Sequence, residues 1–305
     1  MFASMLTMDY TRFCRLFRSF LLAMALAVSS GHADMTFEQA TAGAQKGDPE
    51  AEFYLGKAYF TGNGVPVDLA KALEWYRKAA EQGNPKAQNN LGSMYHQGKG
   101  VKRDDAEAAK WYRKAADQGA ALAQTNLGDL LENGKGVPKN CTEAAQWYEK
   151  AANQGQITAA YRLGLLYYNG GDGFKQNYAQ AALWLEKPAA QGDPTAQDLL
   201  GTIYQNGWEV QRDTNRAFNL FQSAADIGFA PAQRDLGFLY CTGLGTTKDI
   251  VIGYKWLFLA SDQGDFRATH LMGEFQPSIS KEENHKAREL ADQFKPKPPP
   301  APSQH

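Results

Sequence analysis

Small and apolar residues recur at helical spacing along most of this chain, in pairs of short segments. In the first pair, Ala51, Leu55 and Tyr59 share one helical face, and so do Ala72 and Tyr76. Apolar positions three and four residues apart are typical of amphipathic helices. The pattern predicts two helices joined by a glycine-rich turn, which we name helix A and helix B.

This pair of helices is the unit of an internal repeat. The glycine that ends helix B at Gly83 returns at Gly119, Gly155, Gly192, Gly228 and Gly264, at spacings of 36, 36, 37, 36 and 36 residues. A leucine-glycine pair also recurs in helix A of every repeat: Leu55-Gly56, Leu91-Gly92, Leu127-Gly128, Leu163-Gly164, Leu200-Gly201 and Leu236-Gly237. A fixed period over six copies predicts a stack of similar units, of which residues 47–264 form the repeat region.

Polar residues mark where the predicted helices begin. Helix A opens with a cap and a proline at Asp48-Pro49, Asn84-Pro85 and Asp193-Pro194. Helix B follows a residue whose side chain can accept amide hydrogen bonds: Asp68, Asp104, Asn140, Asn177, Asp213 and Asp249. Gly56 and its equivalents lie in mid-helix, where glycine costs about 1 kcal/mol relative to alanine. Their recurrence predicts a close helix contact that a Cβ atom would obstruct.

The repeat, as in Ala51 to Gly83, is similar to that of the Sel1-like repeat family, relatives of the tetratricopeptide repeats. The resemblance implies an all-α fold, a right-handed α-solenoid of stacked helix-turn-helix repeats, with helix A on the concave side. It also implies a non-enzymatic role in holding other proteins together. Unlike the cysteine-rich branch of this family, the chain does not carry a cysteine pair in each repeat.

Several positions depart from the repeat. Tryptophan occupies one helix B position in five repeats, where we expect a buried aromatic ladder, and Leu220 replaces it in the fifth repeat. Pro188 in helix B of the fourth repeat predicts a bent or shortened helix. Gly207-Trp208-Glu209 replaces glycine-any-glycine in the fifth repeat, which places Trp208 on a turn, either as an exposed anchor for a partner or folded over the neighbouring turn.

The ends of the repeat region are expected to be capped. Residues 34–46 predict an N-terminal capping helix, and residues 265–295 a partial seventh repeat with a final helix that Ser280 and Glu283 open as a capping box. The proline-rich segment 296–305 predicts a disordered tail, either a spacer or a ligand for a proline-binding groove.

The first 33 residues resemble an export signal. Three arginines precede the apolar run from Phe20 to Val28, and small residues follow, which predicts cleavage after Ala33. An uncleaved anchor is the alternative, although nine apolar residues are too few to cross a bilayer. Met8 is an alternative start. We therefore expect a periplasmic or secreted protein without stable membrane insertion after cleavage.

Composition limits the classes of partner. The chain carries 32 basic and 33 acidic residues, so it has no positive excess to neutralise a nucleic-acid backbone. Cys141 and Cys241 are three repeats apart, and at about 8 to 10 Å per stacked repeat they are too distant for an intrachain disulfide. We expect a monomer, although a free Cys241 in the groove leaves covalent dimerisation open.

Residues for catalysis are sparse. The sequence contains no HExxH, paired CxxC, GxSxG or GxxxxGK motif, and no cofactor or metal site is predicted. His96 is the strongest single candidate, and Asp129 and Glu132, three residues apart, are the one carboxylate pair that suggests acid-base chemistry. The alternative interpretation for the carboxylates is a solvated patch.

Positions that vary between repeats indicate where a partner binds. On helix A, the columns containing residues 53, 57 and 60 form one stripe with no shared chemistry. Aromatic and arginine side chains dominate interface energetics. The predicted partner-binding residues are Tyr161, Leu165, Tyr168, Arg234, Phe238, Phe53, Phe60, His96 and Trp208. Phe53 and Phe60 could instead cover the leading cap helix.

These observations favour a non-enzymatic interaction scaffold of the bacterial periplasm or secreted space, serving cell-envelope regulation or host interaction. The alternative is a cell-envelope glycan-binding protein or hydrolase that uses the acids and aromatics of helix A.

Overall fold

The fold is all-α, as predicted. The computed structural model describes residues 35–298, so the predicted signal peptide, the Met8 start and the tail beyond Pro298 lie outside the described residues. Within residues 35–298, fifteen α-helices and one 3-10 turn (Gln276–Ser278) are accompanied by a single isolated bridge between Gly171 and Phe174. The helices are α1 Phe37–Ala44, α2 Pro49–Thr61, α3 Leu69–Glu81, α4 Pro85–Gln97, α5 Asp105–Asp117, α6 Ala121–Asn133, α7 Cys141–Asn153, α8 Ile157–Asn169, α9 Tyr178–Ala190, α10 Pro194–Asn206, α11 Thr214–Asp226, α12 Ala230–Thr242, α13 Ile250–Asp262, α14 Phe266–Phe275 and α15 Lys281–Asp292.

The chain divides into two compact units, one ending at Ala87 and the other beginning at Gln88, so that the division falls within α4. In the first unit, α1 begins with the capping box of Thr36 and Gln39 and packs on α2, which packs on α3. This N-terminal cap agrees with the helix predicted in residues 34–46.

The second unit is an α-solenoid of stacked helix pairs. Each of its helices from α5 to α13 packs on the next one along the chain, and α15 packs on α13. Short connections keep sequence neighbours in contact, so each core of this unit is built from consecutive helices, from two for α9 and α10 to four for α5 to α8.

The predicted helix starts are confirmed. All six Asp and Asn residues in front of helix B accept a hydrogen bond from the third backbone amide of that helix. The mid-helix glycine has the predicted role. A Cβ atom at Gly128 would lie 2.5 Å from Cε1 of Tyr148, which is closer than packed carbon atoms approach.

The aromatic ladder differs from its prediction. Trp111, Trp147 and Trp256 are buried, but Trp75 and Trp184 are only half-buried. The most deeply buried column is the next residue, which lies against the helix A glycine: Tyr76, Tyr112, Tyr148, Leu185, Phe221 and Leu257. The tryptophans pack at the edge of each core because the glycine admits only the neighbouring side chain.

Pro188 does not shorten its helix. Helix α9 has 13 residues, as many as the other B helices, and contains Pro188. The proline lies in the last turn, so it removes one amide donor shortly before the helix ends.

The C-terminal end is capped as predicted by a helix that Ser280 and Glu283 open. Beyond it, the Phe294 ring packs 5.3 Å from Trp256. The Lys297 amide donates to the Asp226 carbonyl at 2.8 Å, and its ammonium lies 2.6 Å from Asp226 Oδ2. The chain therefore contacts α11 at Lys297, where the sequence predicted the start of a disordered tail.

Candidate functional site

Helix A presents the predicted stripe beside its buried face. In the first repeat the two aromatic members of this stripe, Phe53 and Phe60, are buried and half-buried. Phe53 is 9% exposed, and its ring lies 5.9 Å from that of Tyr76. The Phe60 ring lies 6.4 Å from that of Tyr76. Both rings therefore pack on helix B of their own repeat.

An aromatic cluster joins the fourth and fifth repeats. Tyr168 packs edge-on against Tyr178 at 5.4 Å, and Trp208 lies over Tyr178 at 4.7 Å. Trp208 remains 37% exposed, so it both folds over the neighbouring turn and offers surface. Glu209 helps to hold this turn, with φ of 55° and its carboxylate accepting from the Ala179 amide.

Three further residues of the predicted stripe are half-buried. Tyr161 and Leu165 flank this cluster on α8, and Phe238 on α12 packs 6.2 Å from the Phe275 ring. Burial raises the pKa of both Tyr161 and Tyr168 above the ordinary tyrosine value, which keeps both hydroxyls protonated near neutral pH. The residues Tyr161, Leu165, Tyr168 and Trp208 form what we name the aromatic patch, together with Tyr178.

Arg234 lies among carboxylates instead of facing solvent. Its guanidinium donates two hydrogen bonds to Asp235, at 2.7 and 2.9 Å, and a third to Asp265 at 3.0 Å. Only 16% of the Arg234 side chain is exposed. The predicted anchor is therefore largely occupied within the protein.

Asp198 is the unpaired member of this charged cluster. Its Oδ1 is buried without a hydrogen-bond partner among the described residues. Burial, reinforced by the nearby negative charge of Asp235, raises the pKa of Asp198 to about 7. Arg234 hydrogen-bonds Asp235 and Asp265, whereas Asp198 Oδ1 has no partner among the described residues, so the cluster favours an additional positive charge.

His96 lines a polar cavity of about 250 Å³ on helices α4, α5, α6 and α8. Its Nδ1 lies 2.6 Å from Asp105 Oδ1, and Arg103 also binds Asp105. Asp129 and Arg162 line the same cavity. His96 is thus held by a neighbouring helix instead of standing free on the surface.

The carboxylate pair of the hydrolase hypothesis is engaged with a tyrosine. The Tyr148 hydroxyl lies 2.6 Å from Asp129 Oδ1 and 2.7 Å from Glu132 Oε2. Burial and both negative charges raise the pKa of Tyr148, so the hydroxyl keeps its proton and can donate its single hydrogen bond to either acid. The two carboxylates are used to satisfy a buried hydroxyl.

Cys241 is not in an accessible groove. It is 1% exposed, and burial raises the pKa of its thiol to about 12. Helix B approaches so closely that a Cβ atom at Gly253 would lie 2.4 Å from its sulfur. Cys141 is also buried and free, in a separate core. The open possibility of dimerisation through Cys241 therefore lacks an exposed thiol.

Sequence reasoning missed a set of glutamine hydrogen bonds between helices A and B. The Gln154 amide donates to Gln124 Oε1 at 2.8 Å, and Gln263 donates to Gln233 at 2.7 Å. Glutamine recurs in several repeats at both of these positions, and this recurrence could have predicted the hydrogen bonds. Sequence reasoning also missed Tyr178 and Asp198, whose roles depend on neighbouring repeats.

Over residues 35–298, no cluster of three or more His, Cys, Asp or Glu side chains is arranged to hold a metal ion. Nor does any helix in that range have the length and apolar character needed to cross a membrane.

The repeats themselves identify the family. The family model of the Sel1 repeat matches residues 49–84, 85–119, 121–156, 157–193, 194–229 and 230–265. The chain belongs to the Sel1 repeat family. Sel1 repeat proteins are generally non-catalytic scaffolds for protein interaction.

Solved structures of Sel1 repeat proteins resemble this chain. A Sel1 repeat protein from Oxalobacter formigenes is 34% identical, with a TM-score of 0.59 over 78% of this chain and 68% of the other. A protective antigen from uropathogenic Escherichia coli with an SLR fold is 30% identical, with a TM-score of 0.39 over 85% of this chain and 71% of the other. No curated protein matches the chain.

Proposed function

We propose that this protein is an exported, non-catalytic scaffold that binds a segment of a partner protein on helix A of the fourth to sixth repeats. The observation that carries the proposal is the aromatic patch lying beside the charged cluster of Asp198, Arg234, Asp235 and Asp265. Aromatic side chains contribute much of the energy of protein interfaces.

Charge indicates the character of the segment. The cluster holds three carboxylates and one guanidinium, and Asp198 has no hydrogen bond to its Oδ1 among residues 35–298. A lysine or arginine of the partner would bind this carboxylate while apolar groups contact Tyr161 and Trp208. Binding should strengthen as the pH rises through about 7, because Asp198 then becomes ionised.

The face is tested by crosslinking in cells that produce the wild-type protein or a Tyr161→Ser, Trp208→Ser double variant. A matched control is Leu183→Ser, since Leu183 is 60% exposed on α9 and lies outside the patch. We expect a partner that the wild type and the control capture and that the double variant loses. All three proteins must melt at similar temperatures. Equal capture by all three would contradict the assignment of this face.

Export is a separate part of the proposal. It is supported by the arginines, the apolar run and the small residues in the first 33 positions. Mass spectrometry of the protein from a periplasmic or culture fraction should find Asp34 as the first residue. Recovery of the chain only in the cytoplasm, with its first 33 residues intact, would refute this part.

A further inference from the structure

A groove of about 370 Å³ opens between helices B of the fourth and fifth repeats, α9 and α11. Helix α10 closes its floor through Gln197 and Leu200. The groove involves none of the residues of the aromatic patch. Three differences from the other repeats account for this groove.

The first cause is the loss of a tryptophan. Trp147 on α7 belongs to a core with Ala116 of α5 and Ala123 of α6. Leu220 on α11 takes the equivalent position against Ala189 and Ala196. Leucine is smaller than an indole, so part of the space that tryptophan fills between other repeats is left open.

The second cause is the loss of the lysine that covers this tryptophan. Lys114 lies 4.0 Å from the centre of the Trp111 ring, and Lys150 lies 3.9 Å from that of Trp147. Three residues after Leu220 the chain has Ser223 instead, which lines the groove. The shorter side chain leaves the outer side of the groove uncovered.

The third change leaves a polar atom without its usual partner. In the third repeat, Gln154 donates to Gln124 Oε1, but in the fifth repeat Ile227 stands in place of the donor. Gln197 is 9% exposed and its Nε2 donates to the Ala189 carbonyl at 3.0 Å. Its buried Oε1 has no hydrogen-bond partner in the described part of the chain. A buried carbonyl without a donor is costly, so it favours a ligand that supplies one.

Other features at this place are retained. Arg216 forms two hydrogen bonds with Glu186, at 2.6 and 2.7 Å, and both residues line the groove. Between the second and third repeats, Arg113 and Glu143 form the equivalent pair with the charges exchanged. The groove is therefore a local change within an otherwise intact contact between repeats.

We propose that this groove binds a tryptophan side chain of a partner protein. The indole ring would contact Ala189, Leu200 and Leu220, and its N–H would donate to Gln197 Oε1. The ligand thus supplies from outside the aromatic ring that the other repeats contain. The proposal is independent of binding at the aromatic patch, because no residue is shared between the two surfaces.

The test uses N-acetyl-5-fluorotryptophanamide, which represents a tryptophan within a chain, and fluorine NMR of the probe. We expect saturable line broadening with the wild type at millimolar concentration. Leu220→Trp should weaken binding at least about tenfold, because the protein then fills its own groove. Leu183→Trp adds the same side chain at an exposed position of α9 and should leave binding unchanged.

Leu220→Trp should fold, because Trp111 and Trp184 are accommodated in other repeats although their Nε1 atoms have no hydrogen-bond partner among the described residues. Ser223→Lys is a second variant that covers the groove from outside, as Lys114 and Lys150 cover their tryptophans. It should also weaken binding. Absence of binding to the wild type, or unchanged binding by both variants, would overturn the proposal.

The hydrogen bond has its own test. The probe methylated at the indole nitrogen should bind the wild type about tenfold more weakly, because it cannot donate to Gln197. Gln197→Met should bind both probes equally. Equal binding of both probes to the wild type would contradict the role of Gln197. Tighter binding of free L-tryptophan than of the capped probe would assign the groove to a small molecule and refute the partner protein.

Discussion

Each helix A glycine provides space for one large side chain of helix B. A Cβ atom added at Gly128 would lie 2.5 Å from the Tyr148 ring, and one added at Gly201 would lie 2.7 Å from the Phe221 ring. Because both partners are held in long helices, neither can move without displacing a whole element. The recurring glycine is therefore a packing requirement, although no turn or positive φ demands it.

Gly128→Ala should lower the free energy of unfolding by about 1 to 3 kcal/mol, since overpacking a core costs that much. Gly273→Ala is the control, because Gly273 lies in α14 with no heavy atom within 4 Å of an added Cβ. Alanine there should be neutral or stabilising by up to about 1 kcal/mol. Urea unfolding of the two variants measures both effects. Equal losses of stability would refute the packing argument.

Asp198 should make stability depend on pH. Its folded-state pKa of about 7 lies above the ordinary value of 3.8. Between these values the folded state retains a proton that the unfolded state releases, so stability falls as the pH rises from about 4 to about 7. The neighbouring charges are Asp235, Arg234 and Asp265.

Asp198→Asn removes this titration. The variant should be more stable than the wild type by about 1 to 4 kcal/mol at about pH 8, with the difference shrinking towards about pH 4. Urea unfolding at the two pH values measures the change. The same replacement at the exposed residue Asp117 should have little effect at either pH. If the stability difference between Asp198→Asn and the wild type did not vary with pH, titration of Asp198 would not be its cause.

Single-residue roles were predictable where they recur in each repeat. The glycines and helix caps were predicted because six copies expose the same requirement. The roles of Arg234 and Phe53 were harder to predict. Variation at a position between repeats does not reveal which side chains the neighbouring helix places against it. Arg234 meets Asp265 from the following repeat, and Phe53 packs on the Tyr76 ring.

At the scale of the helix, side-chain caps determine where each helix B begins. Asp213 accepts a hydrogen bond from the Arg216 amide at 2.8 Å. The same contact is made by Asn140 and Asn177 in their repeats. Aspartate and asparagine are thus interchangeable as acceptors at this position.

Asp213→Ala should destabilise the protein by about 1 kcal/mol, the usual effect of losing an N-cap. Asp213→Asn should preserve stability, because two other repeats begin helix B in this way. Thermal unfolding of the two variants distinguishes cap loss from loss of charge. An asparagine variant as unstable as the alanine variant would indicate that charge is responsible.

Helix starts and helix types followed from local sequence, since caps and turns act within a few residues. The effect of Pro188 did not. Helix α9 keeps its length because the proline falls where few backbone bonds remain to be lost. The effect of a proline depends on how far it lies from the end of its helix. The repeat pattern does not define that end.

At the scale of the whole molecule, α15 covers the last core of the second unit. Ala287 of this helix packs with Tyr254, Leu257 and Ile279. A solenoid end without such a cover exposes apolar side chains to water. The sequence predicted this cap. It did not predict the division of the chain after Ala87, because the repeat pattern continues across that point without a change.

Ending the chain after Ser280 should lower the melting temperature and increase binding of a hydrophobic dye, because Leu257 and Tyr254 lose the cover of α15. Ending it after Pro298 is the control, since that variant keeps every residue of α15. Calorimetry and dye fluorescence measure the two effects. A shortened chain as stable as the control would show that α15 is dispensable.

The glutamine hydrogen bonds give the second, third and sixth repeats the same connector. Gln124 receives a bond from Gln154 in its own repeat and donates to the Ala116 carbonyl of the previous one; Gln233 does the same with Gln263 and Ala225. A repeat with these groups fits behind any other repeat that ends in the same way. Gene duplication could therefore lengthen or shorten such a protein by whole repeats, leaving each new copy free to diverge at the places where the connector is not involved.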